Sequence, residues 1–95
     1  MTSFANVSIE RTVTIVNRRG LHARAAAKFV RLAGEFSSNI EVTKDGETVS
    51  GHSIMGLMML AAATGCSIHL EACGVDARAA VDSMVQLVEN KFDED

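Results

Sequence analysis

The residues able to do chemistry gather in one short stretch, Asn17-Arg18-Arg19-Gly20-Leu21-His22-Ala23-Arg24-Ala25-Ala26-Ala27. His22 falls where a loop gives way to a helical pattern, a position that predicts an imidazole free to face solvent. A helix start carries unpaired backbone N–H groups and the positive end of the macrodipole, which together favour an anion. Imidazole is the side chain whose neutral, nucleophilic form is well populated near neutral pH. A nucleophilic nitrogen beside an anion site is suited to accepting a phosphoryl group. The plainer alternative is a polar surface histidine near a helix cap.

The charge pattern bears on that choice. Of the nine Lys and Arg residues, five (Arg18, Arg19, Arg24, Lys28 and Arg31) lie between positions 18 and 31, with no acid among them. A chain of net charge −3 therefore carries a run of five cations around one histidine. Such a run is often no more than a solvated helix face. Around a nucleophile it would also steer a phosphate or an acidic partner inward.

The elements that must position this stretch can be read from periodicity. Residues 7–16 alternate, with Val7, Ile9, Val13 and Ile15 on one face and Glu10, Thr12 and Thr14 on the other, a half-buried strand. Arg11 interrupts the apolar face, which places it near an edge or an end. A helix from His22 to Gly34 follows, with Ala26, Phe29, Val30 and Ala33 inward and Arg24, Lys28 and Arg31 outward. Ile40 and Val42 mark a second strand, Asp45-Gly46 a hairpin turn, and Thr48 to Gly51 a third strand. Ser53 stands as N-cap of a second helix over Ile54–Ala62, stopped by Gly65. Ile68, Leu70 and Ala72 alternate with Ser67, His69 and Glu71 in a fourth strand. Asp76 caps a last helix whose inner face is Ala77, Ala80, Val81, Met84, Leu87 and Val88. The tail, Asp93-Glu94-Asp95, is expected to fray.

The order β-α-β-β-α-β-α predicts an α+β fold, a four-stranded antiparallel sheet covered on one face by three helices. Ninety-five residues make one domain, 1–95, with a core over about 7–92. Met1-Thr2-Ser3-Phe4 shows no secretion signal. The longest apolar stretch, Ile54 to Ala63, is too short to span a bilayer, so the expectation is a cytoplasmic protein without membrane insertion. Cys66 and Cys73 bracket one strand and stand roughly 23 Å apart if extended at about 3.3 Å per residue, beyond disulfide reach. No CxxC or Cys/His cluster offers a metal site, and neither a metal nor an organic cofactor is expected. His52 and His69 read as surface residues without ligand spacing to His22.

Two blocks of residues also resemble a known family. Gly20-Leu21-His22-Ala23-Arg24-x-Ala26 is similar to the active-site signature of the HPr family, the histidine phosphocarriers of bacterial phosphotransferase systems. Ser53-Ile54-Met55-Gly56-Leu57-Met58 is similar to that family's regulatory-serine helix, and the two blocks lie at the family's usual separation. The resemblance covers residues from about 8 to 92 and implies the same open-faced sandwich. It implies that His22 takes a phosphoryl group from enzyme I, itself charged from phosphoenolpyruvate, and passes it to an enzyme IIA-type acceptor. The chain would then be a stoichiometric carrier with a phosphohistidine intermediate, not an enzyme.

The resemblance assigns Arg24 to phosphate stabilisation, a task its guanidinium suits, although an isolated Arg there could be a solvated cation. It points to the backbone N–H groups of Ala23, Arg24 and Ala25 as phosphate donors. The family usually has proline where this chain has Ala25, so the first turn keeps a donor but is less constrained. Ser53 is explained by capping alone; within the motif it resembles the serine modified by HPr kinase/phosphorylase. The second helix is apolar nearly all round, so some of its side chains are expected to stay exposed. The resemblance points to Ile54, Met55 and Met58 as docking residues, beside Arg24 and Lys28.

The competing class is a regulatory binding module without phosphoryl chemistry. Nucleic acid is disfavoured as partner, because the net charge is acidic and Phe4, Phe29, Phe36 and Phe92 all avoid the strands, leaving no stacking platform. A monomer is expected. The residues do not separate a sugar-uptake branch from a nitrogen-related regulatory one.

Overall fold

The computed structural model describes residues 7–94. Four strands, β1 (Ser8–Thr14), β2 (Asn39–Lys44), β3 (Glu47–Ser50) and β4 (Ser67–Cys73), form one antiparallel sheet in the order β1-β4-β2-β3. Three helices, α1 (Ala23–Ala33), α2 (Ile54–Met59) and α3 (Ala77–Glu89), and a terminal turn at Lys91–Asp93 complete the described chain. The expected α+β open-faced sandwich is what the residues build. The Met1–Phe4 stretch and Asp95 lie outside the described residues.

Alternation on the sheet decides which face the helices cover. Val13, Ile40, Val42, Ile68, Leu70 and Ala72 point to the helices and are buried. The other face carries polar residues paired across strands, with Glu10 opposite Glu71 and Thr12 opposite His69. His69 stays on this polar face, its ring bonded to Glu10 at 2.7 Å and to Thr12 at 3.2 Å. Arg11 lies exposed on the edge strand β1, as its place in the pattern required. Ile15 extends the pairing beyond β1 by donating to the Cys66 carbonyl. Val7 is the exception to the expected apolar face, since it precedes the strand and is exposed. Asp45 and Gly46 both take positive φ, 52° and 82°, which closes the tight β2–β3 turn. Both cysteines are free.

The core of α3 matches its periodicity, whereas in α1 Val30 is only half-buried and Ala25 joins the core in addition to Ala26, Phe29 and Ala33. Ala25, Ala26, Phe29 and Ala33 of α1 are buried, and all six inward positions of α3 are buried. Leu57 of α2 is buried while Ile54, Met55, Met58 and Met59 stay exposed. Phe29 and Phe92 fill the core and Phe36 packs against it.

Three local expectations need correction. The second helix stops at Met59, capped at Leu60, and not near Gly65. Ala61 adopts φ 53°, the left-handed ending that glycine favours, so no glycine marks the stop. Asp76 sits at the N-cap position of α3 but makes no side-chain bond to its own helix. Its carboxylate instead accepts from Ser37 N–H, Ser38 N–H and the Ser38 hydroxyl, tying the α1–β2 loop to the start of α3. These donors, Ser38 hydroxyl first, hold the Asp76 carboxyl below its usual range. The tail, finally, does not fray as far as Glu94. It folds back through the Lys91–Asp93 turn, as its contacts with His22 show below.

Candidate functional site

His22 is the N-cap of α1, in extended backbone, and its side chain makes no capping bond. The first intrahelical bond runs from Ala26 N–H to the His22 carbonyl at 2.8 Å. The N–H groups of Ala23, Arg24 and Ala25 precede that bond and point out of the helix start, as four such groups do at any α-helix N-terminus. Ala23 and Arg24 are exposed, and Ala25 is fully buried. The first turn of α1 therefore combines a histidine, outward N–H groups and one guanidinium.

The loop leading to His22 is built by close approach. Gly20 takes φ 67°, and a Cβ there would lie 2.4 Å from the Ala62 carbonyl oxygen, so glycine alone fits. Leu21 is buried and donates its N–H to that carbonyl at 2.8 Å. The residues after α2 thus brace the loop. Arg19, Leu21, His22 and Ala61–Ala63 line one shallow cavity, and Arg18, Arg19, Arg24 and Glu94 line another beside it. Three of the five clustered cations line these two cavities, Arg19 both of them.

The imidazole is not free to face solvent, contrary to its position in sequence. The His22 side chain is 21% exposed, and Nε2 lies 3.0 Å and 3.2 Å from the two carboxylate oxygens of Glu94. Glu94 comes from 72 residues further along the chain. Its carboxylate also accepts from Asn17 Nδ2 at 2.8 Å, and the same amide nitrogen donates to the Gly20 carbonyl at 2.8 Å. Asn17 is fully buried, and its Oδ1 has no partner. The Asn17 hydrogen bond above all, helped by the hydrogen bond from His22 and the charge of Lys28, holds the Glu94 carboxyl below its usual range, outweighing burial, the second-largest influence, which opposes them.

The tail reaches this position through an unusual turn. Lys91, Phe92 and Asp93 have φ of 60°, 54° and 61°, three successive left-handed residues without glycine. Such backbone is unfavourable by about 1–2 kcal/mol per residue. It persists because Phe92 is fully buried and Lys28 Nζ donates to the Phe92 carbonyl at 2.8 Å. Lys28, named for docking from sequence, thus spends its ammonium on the tail. Sequence reasoning missed Asn17 and Glu94 as parts of the site. Asn17 carried a weak signal, an amide in a turn three residues before a glycine; Glu94 carried none.

Ser53 and the apolar positions fall where the sequence put them. Ser53 is the N-cap of α2, its Oγ accepting from Gly56 N–H at 2.9 Å. Ile54, Met55 and Met58 are exposed at 40%, 69% and 39%, and the chain leaving α2 lines the His22 cavity. The segment that follows α2 is thus the part of this region that the cavity joins to the histidine. Among the described residues no group of three or more His, Cys, Asp or Glu side chains is placed to hold a metal ion. No described helix is long and apolar enough to cross a membrane.

Fold and site together define an open-faced sandwich that presents one histidine at a helix start, with arginines lining the cavities beside it. A family model described as the PTS HPr component phosphorylation site matches residues 9–90. The phosphocarrier protein HPr of Cupriavidus necator is 45% identical over 86 residues, covering 90% of this chain and 97% of that protein. The phosphocarrier protein NPr of Shewanella violacea is 46% identical over 86 residues, covering 90% and 94%. The crystal structure of HPr-C-His from Thermoanaerobacter tengcongensis superposes with a TM-score of 0.88 at 46% identity, over 92% of this chain and 98% of that one. The chain belongs to the HPr family of phosphotransferase-system phosphocarriers.

Proposed function

We propose that His22 carries the phosphoryl group, taking it from a phosphohistidine on enzyme I and passing it to an enzyme IIA-type acceptor. One observation carries the reading: His22 stands at the start of α1 with Arg18, Arg19 and Arg24 around the adjoining cavities. Nε2 is engaged by Glu94, which leaves Nδ1 as the nitrogen with a free lone pair. That lone pair attacks phosphorus, an N–P bond forms on His22, and the N–P bond on the donor breaks. The electron pair of the broken bond returns to the donor imidazole. Arg24 and the N–H groups of Ala23, Arg24 and Ala25 are suited to neutralising the phosphoryl oxygens in each direction. The chain is a stoichiometric carrier, with neither metal nor organic cofactor required by this chemistry.

The exposed Ile54, Met55 and Met58 supply an adaptable apolar surface for docking, to which Arg24 would add charge. Lys28 contributes charge as well while its ammonium stays on the Phe92 carbonyl. Docking of a monomer through so small a patch suits fast exchange between partners. Phosphorylation of Ser53 by an HPr kinase/phosphorylase would add roughly two negative charges beside that patch and repel acidic partners. Such a carrier would act as one domain in the cytoplasm. Similarity to an NPr protein as close as that to HPr proteins supports a second reading of the branch, the same chemistry serving a nitrogen-related regulatory system.

The test is mass spectrometry after incubation with phosphoenolpyruvate and enzyme I, comparing wild type with His22→Ala. An acid-labile phosphoryl adduct on wild type alone is expected. No adduct on wild type, with an enzyme I active on another carrier, would favour a regulatory binding module.

A further inference from the structure

We propose that Glu94 is a positioning residue for His22, fixing the imidazole tautomer that keeps the Nδ1 lone pair free. A carboxylate has no proton to give, so across 3.0 Å and 3.2 Å Glu94 can only accept from Nε2–H. Neutral imidazole has a single ring proton, and placing it on Nε2 leaves Nδ1 bare. The bond also fixes the ring plane, because both carboxylate oxygens lie within reach of the same nitrogen. The acid meets the ring through Nε2, so its charge is directed to the nitrogen that does not react.

Glu94 can do this because it is itself held. Asn17, fully buried, grips Oε1 at 2.8 Å and anchors its own amide on the Gly20 carbonyl. The Asn17–Glu94–His22 chain thus links the loop before the nucleophile to the ring of the nucleophile. On the other side, the buried Phe92 and the Lys28 bond to its carbonyl fix the turn that delivers Glu94. Arg18, Arg19 and Arg24 line the cavity that Glu94 shares, so among the described residues the other charged side chains of that cavity are cations. A carboxylate orienting an imidazole through one nitrogen, while the other does the chemistry, is a general device for selecting a tautomer.

The inference deepens the phosphocarrier reading and rests on it for the reaction, though the tautomer can be observed without any reaction. Full-length wild type, Glu94→Ala and Glu94→Gln are compared with nitrogen-15-labelled histidine at a pH where the imidazole is neutral. Wild type is expected to show one tautomer with the proton on Nε2. Glu94→Ala admits the other form, and Glu94→Gln, whose amide can donate to Nε2, shifts further towards it. Phosphoryl uptake from enzyme I falls roughly tenfold or more in both variants, as loss of a charged hydrogen bond predicts. The apparent affinity for enzyme I stays unchanged, which separates positioning from docking. Backbone spectra report whether the variants fold, and the isosteric Gln variant keeps the test decisive if Ala loosens the tail. Wild-type tautomer in both folded variants overturns the proposal. A slower rate without a tautomer change, or a tautomer change without a slower rate, overturns it equally. If wild type takes no phosphoryl group from an active enzyme I, the carrier reading fails, while the tautomer comparison still decides the role of Glu94.

Discussion

Leu21 donates its backbone N–H to the Ala62 carbonyl at 2.8 Å, so the chain leaving α2 is fastened to the loop that carries His22. The same carbonyl lies where a Gly20 side chain would be. The apolar patch and the histidine are therefore parts of one braced unit, and disturbing the brace should disturb both.

Gly20→Ala tests this brace. Its Cβ would meet the Ala62 carbonyl at 2.4 Å and the backbone would be held at φ 67°, two independent costs. The variant should lose about 2–4 kcal/mol of stability, at the upper end for single substitutions. The melting temperature should fall on the order of 10–25 °C, and urea unfolding checks the size. A loss within 0.5 kcal/mol, the range of a neutral surface change, would mean that the loop yields easily.

Ala25→Pro tests how far the first turn of α1 is constrained. Proline presets φ near the helix start and reduces the freedom of the unfolded chain, and its missing N–H was not part of an intrahelical bond. The variant should gain about 0.4–1 kcal/mol in chemical denaturation, provided the ring fits the buried position. Phosphoryl transfer should change in rate, because one candidate phosphate donor is removed while the turn is stiffened. Stability and rate both unchanged would show that the turn is already rigid.

Ser53 separates capping from regulation. Ser53→Ala removes the Oγ that accepts from Gly56 N–H and should cost about 1 kcal/mol, measured by thermal unfolding. Ser53→Asp keeps a capping oxygen and adds charge next to Ile54 and Met55. It should hold near wild-type stability and bind acidic partners more weakly, an effect that salt reduces. Equal labelling of wild type and Ser53→Ala by the kinase would exclude Ser53 as its target.

Asp76 gives a prediction in pH. Its folded carboxyl titrates below the ordinary 3.8, chiefly because of the Ser38 hydroxyl and the Ser37 N–H. The ionised form is therefore favoured in the folded state, so its contribution is complete above about pH 4 and disappears as pH falls through the lower folded value. Asp76→Asn should lie below wild type by a constant margin at neutral pH, and the two stability curves should converge under acid. A margin that stays constant down to pH 2 would mean that charge is not what ties the α1–β2 loop.

The sequence carried most of the frame. Alternation put Val13, Ile68, Leu70 and Ala72 on one sheet face, and helical periodicity selected every buried position of α3, because each element's period follows from its own backbone geometry. Position before a helical run placed His22 at a helix start, and the exposed side of α2 followed from an apolar excess that one small core could not bury. Sequence could not show which elements meet. Asp76 looked like a cap and ties a loop nearly forty residues earlier. Ala61 ends α2 without a glycine, because the chain turns there to meet Gly20 and Leu21. His22 looked free, and Glu94 holds it. That last contact joins two places 72 residues apart, through a turn kept left-handed by the burial of Phe92. Local pattern determines the period, face and ends of an element. Which carboxylate reaches the imidazole is decided only when the whole core has closed around Phe92.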